Sequence, residues 1–374
     1  MESTSTPVPG SADSSPLDMS GNRKALRLTH GPSLLLLRRT LSSPQVGLVL
    51  VIVLLGSILT VFAGSHVDAR TGETVNNFLN SYTLIQTATD ASFFAIMAVG
   101  ATVVIISGGI DLSVGSIYAL AGVTTAMVLR SIGPTDSFAT IAIGLAIAIG
   151  IGLACGAING ALVVGLEVHP FIITLGTMWV VRGVAFVSSN AESILVPRAL
   201  TRLAKASLGF PHSLYPVPML VMVAVTAVGS VYLIQTVGGR RVFAVGGNAE
   251  ASRFSGVPIG RVKIVVFIIS GLTAGLAAFT GASFYGSASC ADAIGYELYV
   301  IASAVVGGAS LSGGKGSAAG ALLGAVLIVL IRQSIRTLHF DQNYEWIIIG
   351  CAIIIAVVLD QASARFATRR MAGR

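Results

Sequence analysis

The sequence predicts an all-α integral membrane protein of about ten transmembrane helices (8–10), with Gly-broken or re-entrant segments in both halves. Three observations carry that prediction. Of the 374 residues, 54% are hydrophobic and only 10% charged, and the mean hydropathy is +0.85, more apolar surface than a soluble domain of this length can hide. The apolar residues gather into runs near the ~20 residues that cross a bilayer, at 45–63, 83–106, 112–129, 138–165, 170–188, 216–236, 262–284, 297–310, 317–336 and 345–360. Finally, Gly-Gly and Ser interrupt apolar sequence at 107–116 and again at 307–317.

Residues 1–44 open with a Ser/Thr/Pro-rich tract, Met1 to Ser20, too polar to bury and expected to be disordered. No cleavable signal is apparent, because the first apolar run starts only near residues 44–47 and is long enough to remain as a span. Basic residues cluster at Arg23, Lys24, Arg27, Arg38 and Arg39, at Arg240, Arg241, Arg253, Arg261 and Lys263, and at Arg365, Arg369, Arg370 and Arg374. Short loops rich in Lys and Arg stay cytoplasmic. Six spans before the middle cluster and four after it put all three clusters, and both termini, on that side. The expected organisation is a basic cytoplasmic N-terminus (1–44), a transmembrane domain (45–362) with a central cytoplasmic loop at 237–262, and a basic tail (363–374). Arg198, Arg202 and Lys205 resist this pattern, since the 189–215 loop then faces outward; they are candidates for docking an acidic external partner or meeting lipid headgroups. The net charge of +7 is accounted for by cytoplasmic flanks against anionic membrane lipid, not by nucleic acid.

Cys155, Cys290 and Cys351 lack metal-type spacing and read as packing residues. No His/Cys/carboxylate cluster suggests a metal, and no Ser/His/Asp or Cys/His grouping suggests nucleophilic catalysis. Neither an enzyme active site nor a cofactor is expected on this chain. The 43 glycines include small-residue stripes at Gly144, Ala148, Gly152, Gly156 and Gly160, at Gly271 and Gly275, and at Gly316, Gly320 and Gly324, which let helix backbones approach closely.

The 307–317 segment invites a phosphate-loop reading, but Ala309 stands five residues before Gly314 and Gly316 follows Lys315, so the required spacing fails. Segment 107–116 carries one carboxylate, Asp111. An Asp at a helix centre costs roughly 2.5–3.5 kcal/mol on insertion scales, so its presence points to a cavity, a pathway or a cap. Candidate pathway residues are Gly108, Gly109, Asp111, Ser113, Ser116, Asn159, Thr174 and Ser312. An ion-coupled carrier or channel would be expected to place several ionisable groups mid-span, and only Asp111 clearly qualifies. In the central loop, Asn248 to Phe254 is expected to form a short helix capped by Asn248 and ended at Gly256, suited either to a cytoplasmic partner or to anionic lipid.

Four stretches, Ser107–Gly122, Gly156–Gly160 with His169–Thr177, Gly239–Gly256 and Glu297–Gly320, resemble the permease subunits of bacterial ATP-driven sugar importers of the ribose/xylose/arabinose/rhamnose type. The resemblance runs from about residue 45 to residue 362. It implies a homo- or heterodimer of permeases, cytoplasmic ATP-binding subunits that bind the ATP, a periplasmic sugar-binding protein, the bacterial inner membrane and transport by alternating access. It also makes Arg241, Gly247, Asn248, Glu250, Ala251, Arg253, Ser255 and Gly256 the positions that couple to the ATPase. Where many members read Asn-Gly after the last Gly-rich helix, this chain has Arg332-Gln333-Ser334-Ile335-Arg336; these arginines are expected to snorkel, to pair with Asp341 or Glu345, or to mark another substrate. The related permease type for nucleosides or branched-chain amino acids is the alternative, and the first and last motifs favour a monosaccharide.

Overall fold

The computed structural model describes residues 44–67, 72–133, 136–209 and 215–351, with 354, 355 and 358. The expected N-terminal segment, apart from Pro44, and the basic tail at 363–374 lie outside the described residues. Among the described residues, helices and two small two-stranded antiparallel sheets follow in order: α1 (Pro44–Phe62), β1 (Ser65–Val67), β2 (Thr74–Asn76), α2 (Ser81–Ile106), α3 (Val114–Ile132), α4 (Phe138–Gly165), α5 (Pro170–Ser189), β3 (Ser193–Leu195), α6 (Arg198–Ala204), α7 (Val217–Gln235), α8 (Val237–Gly247), α9 (Ala249–Phe254), α10 (Ile259–Tyr285), β4 (Ser287–Ser289), α11 (Tyr296–Val306) and α12 (Ala318–Thr337). Residues 344–351 are also helical.

Among the described residues, eight helices are long and apolar enough to cross a membrane: α1 to α5, α7, α10 and α12. The run at 297–310, expected as a span, instead gives the 11-residue α11, about 16 Å long and so only half of a ~30 Å crossing. The chain turns there because Gly307 and Gly308 end the helix. The run at 345–360 is helical as far as it is described.

α2 is the hub. From Ala91 onward it is apolar on nearly every face, and 94% of its membrane window is buried, as befits a helix enclosed by others. Ile96, Met97, Val104 and Ile106 join Val114 and Ile117 of α3, Phe267 of α10 and Ile328 of α12 in the main core. The glycine stripes of α4 and α10 are two halves of one seam. A Cβ on Gly156 would stand 2.9 Å from the Ile268 Cα, and one on Gly160 2.7 Å from the Ile264 Cα. Gly320 and Gly324 similarly admit the carbonyls of Gly307 and Ser303 against α12.

The two small sheets tie helix ends together. β1 pairs antiparallel with β2, Ser65 opposite Asn76. The Asn76 and Asn77 amides donate to the Thr60 and Ala63 carbonyls of the α1 end at 2.8 and 2.7 Å, while Asn80 caps α2 by accepting from the Thr83 N–H. β3 pairs with β4, Ser193 opposite Ser289. Within the loop expected at 189–215, residues 193–195 and 198–204 thus form a strand and a short helix. α10, 27 residues long and about 40 Å from end to end, runs from the α8–α9 end of the bundle to the β3–β4 end.

Candidate functional site

The break between α2 and α3 starts as a helix stop. Ser107 ends α2, the Gly108 N–H donates to the Ile105 carbonyl at 2.9 Å, and the Gly109 N–H reaches back to the Val104 carbonyl at 3.0 Å. Gly108 adopts φ +81°, where a Cβ is disfavoured. The chain is then locked by side chains. Asp111 Oδ1 accepts from the Ser113 N–H at 2.9 Å and the Ser113 hydroxyl at 2.6 Å. Its Oδ2 accepts from the Ser270 hydroxyl of α10 at 2.7 Å, and Asn159 of α4 donates to Ser113 Oγ at 2.7 Å. The Thr174 hydroxyl of α5 reaches the Ile110 carbonyl at 3.1 Å. Asp111 is 1% exposed and Ser113 and Ser270 are fully buried, so a carboxyl enclosed this deeply is tolerable only because its lone pairs are met.

The break between α11 and α12 repeats the same stop: Gly308 N–H to the Val305 carbonyl and Ala309 N–H to the Ala304 carbonyl, both 2.9 Å, with Gly308 at φ +94°. The two breaks also touch. The Gly314 N–H donates to the Ile106 carbonyl at 2.8 Å. Into this contact comes the end of α8. A Cβ on Gly246 would stand 2.7 Å from the Gly314 N and overlap the Ile106 carbonyl, and one on Gly314 would stand 2.9 Å from the Gly247 Cα. Three segments far apart in sequence therefore meet backbone on backbone, a packing that only glycine allows.

From this junction the chain continues directly into α9. Asn248 accepts from the Ala251 N–H at 2.8 Å. The helix ends with the Gly256 N–H on the Arg253 carbonyl and the Val257 N–H on the Ser252 carbonyl, both 3.0 Å, Gly256 at φ +77°, the stop that the sequence signals. Arg241, Gly247, Asn248, Glu250, Ala251, Arg253, Ser255 and Gly256 are all exposed. So is Phe254, at 85%, which residue types alone did not single out as a coupling position. Beside α9, a cleft of about 800 Å³ opens between the α4–α5 turn and the start of α10, lined by Gly108, Glu167, His169, Arg253, Pro258 and Lys263 among others.

At the β3–β4 end, Arg198, Arg202 and Lys205 lie on or beside α6 and are exposed. Arg202 is ion-paired with Asp136, and Lys205 lies 5.6 Å above the Phe284 ring. Beneath them, Arg182 of α5 donates to the carbonyls of Cys290 and Asp292 at 2.8 and 2.6 Å and to that of Ala293 at 3.2 Å. Burial raises the Asp292 carboxyl above its usual range, against the Ser289 N–H and the Arg182 charge, which lower it.

The structure thus joins Asp111, Ser113 and Asn159 in one hydrogen-bonded set and places Thr174 against its edge. Ser116 turns back on the Ser113 carbonyl at 2.8 Å, Gly109 is buried, and Gly108 and Ser312 are exposed; no bond joins Ser312 to the set among the described residues. Two expectations need correction. Asp111 is not alone: Asp90, Arg182 and Arg332 lie within α2, α5 and α12, each inside an apolar run that already contained it. Cys351 is exposed, whereas Cys290 is buried. The two arginines of the α12 end find different partners. Arg332 pairs with Glu345 at 2.7 Å, one of the two carboxylates expected, while Arg336 pairs with Asp90 at 3.5 Å, which its position in the chain gave no reason to expect.

Comparison with known proteins gives a consistent result. A family model described as branched-chain amino acid transport system / permease component matches residues 83–357. The chain is 35% identical over 286 residues to the D-allose transport system permease protein of Escherichia coli, covering 76% of this chain and 85% of that one. It is 37% identical over 291 residues to the ribose import permease protein of Escherichia coli, covering 77% and 86%. It is 32% identical over 271 residues to the L-arabinose transport system permease protein of Escherichia coli, covering 72% and 80%.

Proposed function

The chain belongs to the family of branched-chain amino acid transport system / permease components, and from that premise we propose that it is the membrane-spanning part of an ATP-driven, binding-protein-dependent importer of a monosaccharide. Relatives named for allose, ribose and arabinose transport, matched over about three quarters of the chain, favour a sugar over the amino acids of the family's description.

The observation that carries the mechanism is the glycine junction, where α8 meets both helix breaks. Arg240, Arg241, Arg253, Arg261 and Lys263 put the α8–α9 end in the cytoplasm, together with both termini. There Glu250, Arg253 and the exposed Phe254 dock on an ATP-binding subunit, which holds and hydrolyses the ATP. An aromatic standing clear of its own protein is the kind of anchor that dominates such contacts. ATP-driven closure displaces α9, and because Gly246 and Gly247 touch the backbone at Ile106 and Gly314, the displacement bears on both breaks. The Asp111–Ser113–Asn159–Ser270 set pins the first break while the second moves. A second permease subunit completes the pathway, and alternating access follows. A periplasmic sugar-binding protein delivers cargo at the opposite face, with Arg198, Arg202 and Lys205 placed to meet it.

The test is uptake and ATP hydrolysis in proteoliposomes holding this chain, its ATP-binding subunit and its binding protein, screened across pentoses, hexoses, deoxyhexoses, nucleosides and branched-chain amino acids. Sugar-stimulated hydrolysis with uptake is the expected result. Uptake by this chain alone, indifferent to ATP, would overturn the reading.

A further inference from the structure

Between α2, α11, α12 and the helical residues 344–351 lies a cluster that neither the breaks nor the coupling element uses. The Arg332 guanidinium lies 5.4 Å from the Phe94 ring centre and 5.2 Å from that of Tyr299. Its Nε is 2.7 Å from Glu345 Oε1, which also accepts from the Tyr299 hydroxyl at 2.6 Å. Tyr296 closes the group, its ring centre 4.5 Å from that of Phe94. At the margin, Arg336 faces Asp90, whose Oδ1 accepts from Gln86 at 3.0 Å. The Arg332, Glu345 and Asp90 side chains are only 19%, 15% and 17% exposed.

Replacing a buried ion pair by apolar residues of similar volume is often neutral or stabilising, and ionisable groups within membrane segments are costly and mark function. We propose that this cluster is a cargo-contact and selectivity site for an uncharged monosaccharide, a proposal that rests on the importer reading. The chemistry matches the ligand class. Aromatic faces take the C–H face of a sugar ring, and guanidinium and carboxylate groups bind vicinal hydroxyls in pairs. The two arginines and two carboxylates balance, so a neutral cargo leaves no charge unmatched, whereas a charged one does. In this structure Arg332 itself occupies the face of the rings, as a stand-in that arriving cargo displaces.

The test uses the reconstituted complex with one unaltered binding protein throughout, so any change in preference originates in this chain. Uptake of a panel of pentoses, hexoses and their deoxy forms is measured in competition, and assembly is read by co-purification with the ATP-binding subunit. Arg332→Gln and Tyr299→Leu should change the uptake ratio between two sugars by about ten-fold or more. Tyr299→Phe, which keeps the ring and loses the hydroxyl, should change it less and in the same direction; it carries the test if Arg332→Gln fails to assemble. Equal loss of uptake for every sugar, with unchanged ratios, would overturn the site and leave an ion-paired lock. Absence of ATP-dependent sugar uptake by the unaltered complex would overturn the importer reading and the cargo site with it.

Discussion

The two helix breaks begin alike and are held differently. Both stop a helix with a left-handed glycine, Gly108 or Gly308, and the same backward N–H bonds. After that, the first is bolted by side chains from three other helices, Ser270, Asn159 and Thr174, around a fully enclosed Asp111. The second has no carboxylate. It folds on itself through Ser310 N–H to the Lys315 carbonyl and Gly313 N–H to the Ser310 carbonyl, with Gly313 and Gly314 at φ +83° and +72° and Ser312 and Lys315 exposed. The difference teaches how a pair of similar turns divides its labour. A buried polar network tolerates only one geometry, so side chains fix the first break; the second is held by its own backbone bonds and by glycine contacts with α8, and under the proposed mechanism it is the part that moves.

Substitutions grade this contrast. The largest effect belongs to Asp111→Ala, which strands the Ser113 N–H and the Ser270 hydroxyl in the core and should cost about 2–5 kcal/mol, read as a lowered melting temperature in detergent. Gly314→Ala forces a Cβ into the left-handed region and against Gly247; it should cost about 2 kcal/mol and depress uptake more than melting. Asn159→Ala removes one donor to Ser113 and should cost about 1–2 kcal/mol. Least affected should be Ser317→Ala, which deletes the cap that accepts from the Gly320 N–H at 3.0 Å, at about 1 kcal/mol. If Asp111→Ala melts no lower than Ser317→Ala, the two breaks are held alike and the contrast fails.

Much of this architecture was legible in the chain because lipid makes hydropathy a strong signal: every apolar run overlaps a helix, though the run at 297–310 is helical only to Val306. The stripes Gly152–Gly156–Gly160 and Gly271–Gly275 were legible as close-packing faces, though only the fold pairs them with each other. Asn248 and Gly256 announced α9 because capping is local chemistry. What stayed hidden was long-range. Nothing in the sequence pairs Asp111 with Ser270 or Arg336 with Asp90, since helices distant along the chain supply the partners. The short α11 is missed when the apolar run is read through to residue 310, over Gly307 and Gly308, the glycines that stop the helix. Phe254 passed unremarked because a lone aromatic in a loop has no periodicity; its exposure is what distinguishes it.

Coupling in the proposed importer runs through the contact of α8 with both breaks, and Gly246→Ala tests it. In proteoliposomes with the ATP-binding subunit and the binding protein, the ratio of sugar taken up to ATP hydrolysed is compared with that of the unaltered complex. A methyl wedged between the Ile106 carbonyl and Gly314 should leave hydrolysis running while the ratio falls about ten-fold, as expected of a misplaced positioning element. An unchanged ratio, in a complex that assembles normally, would contradict the claim that the glycine junction carries the motion.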